Sequence, residues 1–477
     1  MTTLLALLAG PLYAGKQSVR GCAALLVHRL NLLGLRLEAW VGRRFPGKRK
    51  LRVLASACWH FPIYSQTFVY RELSELAQGD FDLRFAYSGL CSRNQLADEF
   101  SCLWRRKRRL ILSEFTCARD LEYYRRRMPQ RVEDLTRLIA DAAGLPPDEI
   151  LANEHFRQAF SFARMAECWQ PDYIHTYFFY ERTLFALVAS YLLGIPRGVS
   201  CYADHMLPDY PLKLVPLQLR TCAVVVATSA RIRQELETLA GRPLPKVVVK
   251  PNAIDIRQFA RERQSAGRRD TWQIVCVSRI HPKKGLTYLI DAVLRLRQQG
   301  APAVLRILGE PDSHDPESLA YHRALAQRIA EDRIATTVLL EGRKTSREVR
   351  ECLEAADLFV APFVELPNGD KDGIPTALLE AMAAGCPIVC TDAGSITEVV
   401  SDGLEGIIVP QADAGALAQS MLRLLQDETL RDRMSRAARD RARRDFDIGL
   451  CETLFHQRVH AAIAAADISA TREIPAS

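Results

Sequence analysis

No CxxC pair, no His/Cys group at zinc spacing and no apolar run of membrane-spanning length occurs in this 477-residue chain. The 13 cysteines stand singly, Cys22, Cys58, Cys91, Cys102, Cys276, Cys386 and Cys390 among them, which argues against a disulfide framework or a structural zinc. Several fall in strand-like runs such as Ile274–Val277, where cysteine is a small buried hydrophobe. Reduced thiols and a cytoplasmic location are expected. A spanning helix needs roughly 18 apolar residues, and the richest stretch, Val19 to Val41, is broken by His28 and Arg29. No positive charge precedes Leu4, so a secretory signal is not expected. With 48% hydrophobic and 25% charged residues, neither disorder nor a multi-span membrane protein is expected.

Single cores stop growing near roughly 250–300 residues, so two domains and an extra segment are predicted. The net charge of +8 is gathered in Lys48–Lys50, Arg105–Arg109 and Arg125–Arg127. Such runs are solvated faces or contacts with an anionic membrane. No nucleic-acid-binding motif accompanies them, so no nucleic-acid partner is expected. Residues 1–50 carry leucines and Trp40 at helical spacing with arginines between them. They read as a helical extension packed on the first domain, or as an in-plane membrane anchor. Gly10–Lys16 nearly spells a phosphate-binding loop, but Gln17 stands where Ser or Thr is required.

From Leu51 the pattern is strand, turn, helix: Leu51–Ala55, Tyr173–His175, Gly198–Cys201 and Ala223–Ala227 are strands, with helices between. The run Gly241–Pro245 marks a domain junction. Strands at 246–249, 273–277, 304–308, 337–340, 358–361, 387–390 and 406–409 then form a second sheet. Alternation of this kind gives parallel sheets covered on both faces. The domains expected are a helical extension over 1–50, an acceptor-side domain over 51–245, a nucleotide-sugar-binding domain over 246–430, and a helix and tail over 431–477 crossing back.

Ligands of open parallel sheets sit beyond the carboxyl ends of the strands. There Val277–Leu286 brings Arg279 and Lys284 to a helix start, a setting suited to a diphosphate; a plain solvated loop is the alternative. Asp372 to Val389 places two carboxylates, Asp372 and Glu380, around a turn and helix start near Thr376 and Ala377. Capping by Asp372 and a solvent-facing Glu380 is the alternative there.

Lys250–Asp255 with Phe259, Ser278–Arg279 to Lys284–Gly285, Leu308–Gly309–Glu310, Glu341–Gly342, Ala356–Pro362, Asp372–Pro387 and Gly394–Glu398 with Asp402–Gly403 together resemble the retaining family 4 glycosyltransferases of the GT-B fold. Cys58–Val69 and Gly373–Met382 look most like the exopolysaccharide- or colanic-acid-type members. The resemblance implies an α/β protein of two Rossmann-like doubly wound domains with a cleft between them. It implies donor contacts from Arg279, Lys284, Gly309, Thr376, Ala377, Leu378 and Glu380. Glu380 matches the carboxylate on the ribose, and Asp372 stands where the family usually has a glutamate against the sugar. His175 matches a family histidine at a strand end, although such a histidine is more often structural. At the usual catalytic histidine the chain has Tyr202, with Asp204 and His205 nearby.

The reading that follows is metal-independent, retaining transfer from a nucleoside diphosphate sugar to a glycan or polyprenyl-linked acceptor, with no cofactor. Asp372, His175 and His205 are the candidate catalytic residues. A non-catalytic membrane-peripheral assembly subunit, a sugar-nucleotide epimerase and a phosphorylase are the alternatives.

Overall fold

The computed structural model describes residues 16–44, 50–56, 60–61, 66–90, 99–202, 205, 212–244, 246–259 and 270–472. The first sheet contains β1 (Leu51–Ser56), β2 (Phe81–Tyr87), β3 (Lys107–Arg109), β4 (Tyr173–Tyr177), β5 (Arg197–Cys201), β6 (Val224–Ala227) and β7 (Val247–Val249), in the order β3-β2-β1-β4-β5-β6-β7. The second contains β8 (Trp272–Val277), β9 (Ala303–Leu308), β10 (Val338–Leu340), β11 (Leu358–Ala361), β12 (Ile388–Thr391) and β13 (Ile407–Val409), in the order β10-β9-β8-β11-β12-β13. The strands pair in parallel, and both orders reverse beside the first strand, as in doubly wound dinucleotide-binding folds. Strands buried on both faces need unbroken apolar runs; Val224–Ala227 and Leu358–Ala361 are buried throughout.

The strand expected to open the second sheet belongs to the first. Val247 and Val248 pair with Val225 and Val226, because the short loop after Gly241 returns the chain to the sheet it left. The domain junction therefore follows β7, at Lys250. The sequence reading also passed over β2 and β3, where Asp82, Arg84 and the basic run mask the strand pattern. It passed over the helices α3 (Glu114–Arg127), α4 (Pro129–Ala143), α5 (Pro147–Ala152) and α6 (Glu154–Trp169).

In the extension, α1 (Lys16–Arg44) buries Leu25, Leu32, Leu35 and Ala39 and packs along α6. α2 (Thr67–Gln78) follows the loop after β1, with Gln66 at its cap and no side-chain cap bond. α7 (Glu181–Leu193) follows β4, α8 (Val215–Thr221) precedes β6, and α9 (Ala230–Ala240) starts with Ser229 accepting from the Ile232 N–H.

The second domain adds α10 (Leu286–Gln298), α11 (Pro316–Glu331), α12 (Ser346–Ala355), α13 (Thr376–Ala384), α14 (Ala414–Gln426) and α15 (Glu428–Asp445). Most starts carry a side-chain cap: Asp315, Asp413 and Asp427 accept from the first turn, and Thr345 with Glu348 forms a reciprocal capping box. The chain crosses between domains twice, side by side: Ile254 donates to the Phe446 carbonyl at 3.0 Å and Ile448 to that of Ile254 at 3.0 Å. Beyond the second crossing, α16 (Ile448–Arg472) sets Phe455 and Val459 into the first domain's core.

Candidate functional site

The loops beyond β8, β9, β11 and β12 pack against one another where glycines admit backbone-to-backbone contact; a Cβ on Gly285 would stand 1.9 Å from the Pro362 carbonyl oxygen, which joins the loops after β8 and β11. At Gly309, φ is 144° and a Cβ would stand 1.9 Å from the Ser278 carbonyl oxygen; at Gly394, φ is 59° and a Cβ would stand 2.0 Å from that of Asp372. No other residue fits either position without displacing the chain.

Within this unit lies a buried ion cluster. Lys284 Nζ pairs with the Asp372 carboxylate and lies 4.2 Å from the centre of the Phe363 ring. Lys283 Nζ is 2.8 Å from Asp370 Oδ1 and 3.7 Å from Asp372 Oδ1. Burial would raise the Asp372 pKa, but Lys284, Lys283 and Arg279 hold it down to about 2. Burial, aided by Lys283 and Arg279, lowers the Lys284 pKa against the pull of Asp372. Three cations, Arg279, Lys283 and Lys284, thus meet three carboxylates, Asp312, Asp370 and Asp372. Arg279 is the open member, 3.8 Å from Asp312 and half exposed.

α13 begins beside this cluster, with Pro375 at its cap. Its first amides, on Thr376 and Ala377, have no acceptor within the helix. The Leu378 N–H bonds to the Pro375 carbonyl at 3.1 Å and its side chain is in the core. Glu380 accepts from Arg71 Nη2 of α2 at 2.8 Å, across the cleft. Arg71 Nη1 is buried without a hydrogen-bond partner among the described residues.

On the facing domain, Arg231 makes a two-pronged pair with Glu365 at 2.6 and 2.9 Å and donates to the Gly394 carbonyl. The Glu398 carboxylate accepts from the Ala230 and Arg231 amides at the start of α9. His205 Nε2 is 2.8 Å from Glu235, which also pairs with Lys371 at 2.9 Å. Burial would raise the Glu235 pKa; the hydrogen bonds from His205 and Lys371 bring it down to about 2. His205 therefore connects, through Glu235, to the residue preceding Asp372.

His175, expected among the candidate catalytic residues, is fully enclosed. It lies between Ser200 Oγ at 2.9 Å and Tyr173 OH at 3.3 Å, and burial lowers its pKa to about 4. It belongs to the hinge, where Lys250 Nζ joins Glu72 at 2.5 Å and Glu452 at 2.6 Å. Sequence reading missed Arg71, Arg231, Glu235 and Glu365: each lies on a helix or loop whose local pattern is ordinary, and the pairs Arg71–Glu380, Arg231–Glu365 and Glu235–Lys371 form only where the two domains approach. Among the described residues no group of three or more His, Cys, Asp or Glu could hold a metal ion.

Residues 115–258 match the family described as Glycosyltransferase Family 4, and residues 258–441 match Glycosyl transferases group 1. The chain belongs to the family 4 glycosyltransferases. Among its relatives is the amylovoran biosynthesis glycosyltransferase AmsK of Erwinia amylovora, 33% identical over 199 residues, 42% of this chain and 47% of that protein. A glycogen synthase of Mycobacterium tuberculosis is 29% identical over 297 residues, 58% of this chain and 66% of that protein. The chain thus spans about half the length of the first of these relatives. Anabaena HepE in complex with UDP shares the GT-B fold of this glycosyltransferase-family chain, with a TM-score of 0.65 over 86% of this chain and all of HepE, at 16% identity. Family membership and fold account for the position of the ion cluster, at the carboxyl edge of the second of two doubly wound sheets.

Proposed function

We propose that the protein transfers a sugar, with retention of configuration, from a nucleoside diphosphate sugar to a glycan or polyprenyl-linked acceptor in surface or exopolysaccharide synthesis. The observation that carries this is the convergence of Arg279, Lys283 and Lys284 beside the first amides of α13, on Thr376 and Ala377. A helix start with adjacent cations is a ready anion site. AmsK, by name an amylovoran biosynthesis enzyme, and HepE, solved with UDP, point the same way.

In this reading Arg279, Lys284 and the α13 amides take the diphosphate, and Gly309 lets the loops close around it. Glu380 takes the ribose hydroxyls, and Asp372 orients the sugar while balancing Lys284 until the phosphate arrives. The bond from the anomeric carbon to the β-phosphate oxygen breaks as the acceptor oxygen attacks from the same face, and the acceptor proton passes to the departing phosphate. The cations stabilise the charge that develops there, with neither metal nor cofactor. His205, held by Glu235, stands on the acceptor side; His175 has no part.

The reading also includes docking on an anionic bilayer. Opposite its buried face, α1 exposes Val27, Leu30, Leu33, Leu37, Trp40 and Val41, with Leu33 63% and Trp40 55% exposed. Arg43 and Arg44, exposed in the last turn of α1, would meet acidic headgroups at one end of this stripe. The basic runs expected to dock are largely engaged elsewhere: Arg108 pairs with Glu38, Arg106 with Asp82, Arg126 with Glu122 and Arg127 with Glu167. Among the described residues no helix is long and apolar enough to cross a membrane.

The test is product analysis with a panel of nucleoside diphosphate sugars and polyprenyl-linked acceptors. Transfer with the donor's anomeric configuration supports the reading. An inverted linkage, or an epimerised donor without transfer, overturns it.

A further inference from the structure

Four aromatic side chains gather at the carboxyl edge of the first sheet. Phe68 comes from the first turn of α2, Phe178 and Tyr180 from the loop after β4, and Tyr202 from the residue after β5. Ring centres are 4.7 Å apart for Phe68 and Tyr202, 5.0 Å for Phe178 and Tyr202, 5.2 Å for Phe178 and Tyr180, and 6.0 Å for Phe68 and Phe178. Phe178 is the buried floor; Phe68 and Tyr202 are half-buried, and Tyr180 is 37% exposed.

Two further observations set this group apart from ordinary core. Phe178 has φ 63°, a left-handed backbone that a bulky residue rarely adopts. It is held there by its N–H on the Ser200 carbonyl at 2.9 Å and by Thr183 Oγ1 donating to its own carbonyl at 2.5 Å. Strain maintained by surrounding bonds gathers where a side chain must be aimed. On the same helix start as Phe68, Gln66 Oε1 and Arg71 Nη1 are buried with no hydrogen-bond partner among the described residues. Buried polar atoms without partners are costly, and hydroxyl groups can supply both an orphan acceptor and an orphan donor. The cluster borders the proposed sugar position, because the Tyr202 carbonyl lies 3.9 Å from where a Cβ on Gly373, the neighbour of Asp372, would stand.

We propose that Phe68, Phe178, Tyr180 and Tyr202 form the subsite for a neutral pyranose ring at the end of the acceptor, an inference that rests on the transfer reading above. One face of a pyranose presents axial C–H groups and packs flat on aromatic rings, while its rim of hydroxyls needs donors and acceptors around it. The half-buried rings offer the apolar face, and Gln66 Oε1 and Arg71 Nη1, from the same helix start as Phe68, offer an acceptor and a donor. Tyr202, at the position where the family usually has a catalytic histidine, here holds the acceptor ring by contact and makes no proton transfer.

The test is saturation-transfer NMR on the full chain with methyl glucoside, galactoside, mannoside and fucoside, in parallel with calorimetric titration of UDP, GDP and ADP. Saturating the aromatic protons should transfer to the ring C–H protons of at least one glycoside. In Tyr180→Ala, and separately in Tyr202→Leu, which keeps apolar bulk, that transfer should fall at least fivefold while nucleotide affinity stays within twofold of the parent. Undiminished transfer in both variants, or none from any glycoside to the parent, overturns the subsite. Failure of every nucleotide to bind the parent would instead overturn the donor reading, a separate result.

Discussion

Arg71 of the first domain and Glu380 of the second meet across the cleft at 2.8 Å, with side-chain exposures of only 16% and 14%. The carboxylate assigned to the ribose is thus already answered by the opposite domain. Arg71→Ala strands Glu380 and should destabilise the protein by about 1–3 kcal/mol in urea unfolding. A cycle with Glu380→Ala should return a coupling of about 0.5–3 kcal/mol; strictly additive losses would show that the contact contributes nothing.

Asp372 neutralises Lys284 where the diphosphate is expected. Asp372→Asn releases that cation, so nucleoside diphosphate affinity should hold or tighten, while kcat falls at least tenfold because the sugar loses its orienting carboxylate. Steady-state kinetics and calorimetry separate the two effects. Weaker nucleotide binding with unchanged kcat would reverse the roles assigned to Asp372.

The hinge carries a pH dependence. Burial, with Glu72 nearby, holds the Glu452 carboxyl above its ordinary value of 4.5, against the pull of Lys250. Above pH 4.5 and up to the raised value, the folded state keeps a proton that the unfolded chain has released, so this group's contribution falls as pH rises. His175, lowered to about 4, acts in the opposite sense, its contribution falling as pH drops from about 6.5 to 4, so the comparison must be with a Glu452 variant. Glu452→Gln, neutral at every pH, should gain stability relative to the parent between pH 5 and pH 8, by about 1.4 kcal/mol for each unit of pKa elevation. Urea unfolding at both pH values measures it, and a constant difference would contradict the account.

Much of this molecule is legible in its sequence where local pattern and local chemistry coincide. Runs such as Ile274–Val277 and Leu358–Ala361 announce buried parallel strands, and Gly385 closes α13 in the left-handed conformation at φ 65°. Arg279, Lys284, Asp372 and the α13 start are visible because each lies just past a strand end. The same reasoning fails where tertiary contact decides. Val247–Val249 gives no sign of which sheet it joins, His175 reads the same whether buried or open, and Arg71 gains its partner only when α2 meets α13 across 309 residues of chain.

The exposed face of α1 predicts a largely apolar membrane contact. Leu30→Ser/Leu33→Ser/Leu37→Ser should lower co-sedimentation with anionic vesicles by at least tenfold, since each buried leucine contributes up to about 1.5–3 kcal/mol. Added salt should weaken binding of the parent only in part. Full loss in salt, with the triple variant binding like the parent, would return the contact to charge alone.

The central claim is that the cluster around Lys284 receives the diphosphate of a nucleotide-sugar donor, and titration of UDP, GDP and ADP into the parent and Lys284→Ala by calorimetry tests it most directly. At least one nucleotide should bind the parent, and the variant should lose about 1.5–3 kcal/mol of that affinity, the worth of a hydrogen bond to a charged group. Equal dissociation constants in the two proteins, or no binding of any nucleotide to the parent, would contradict it.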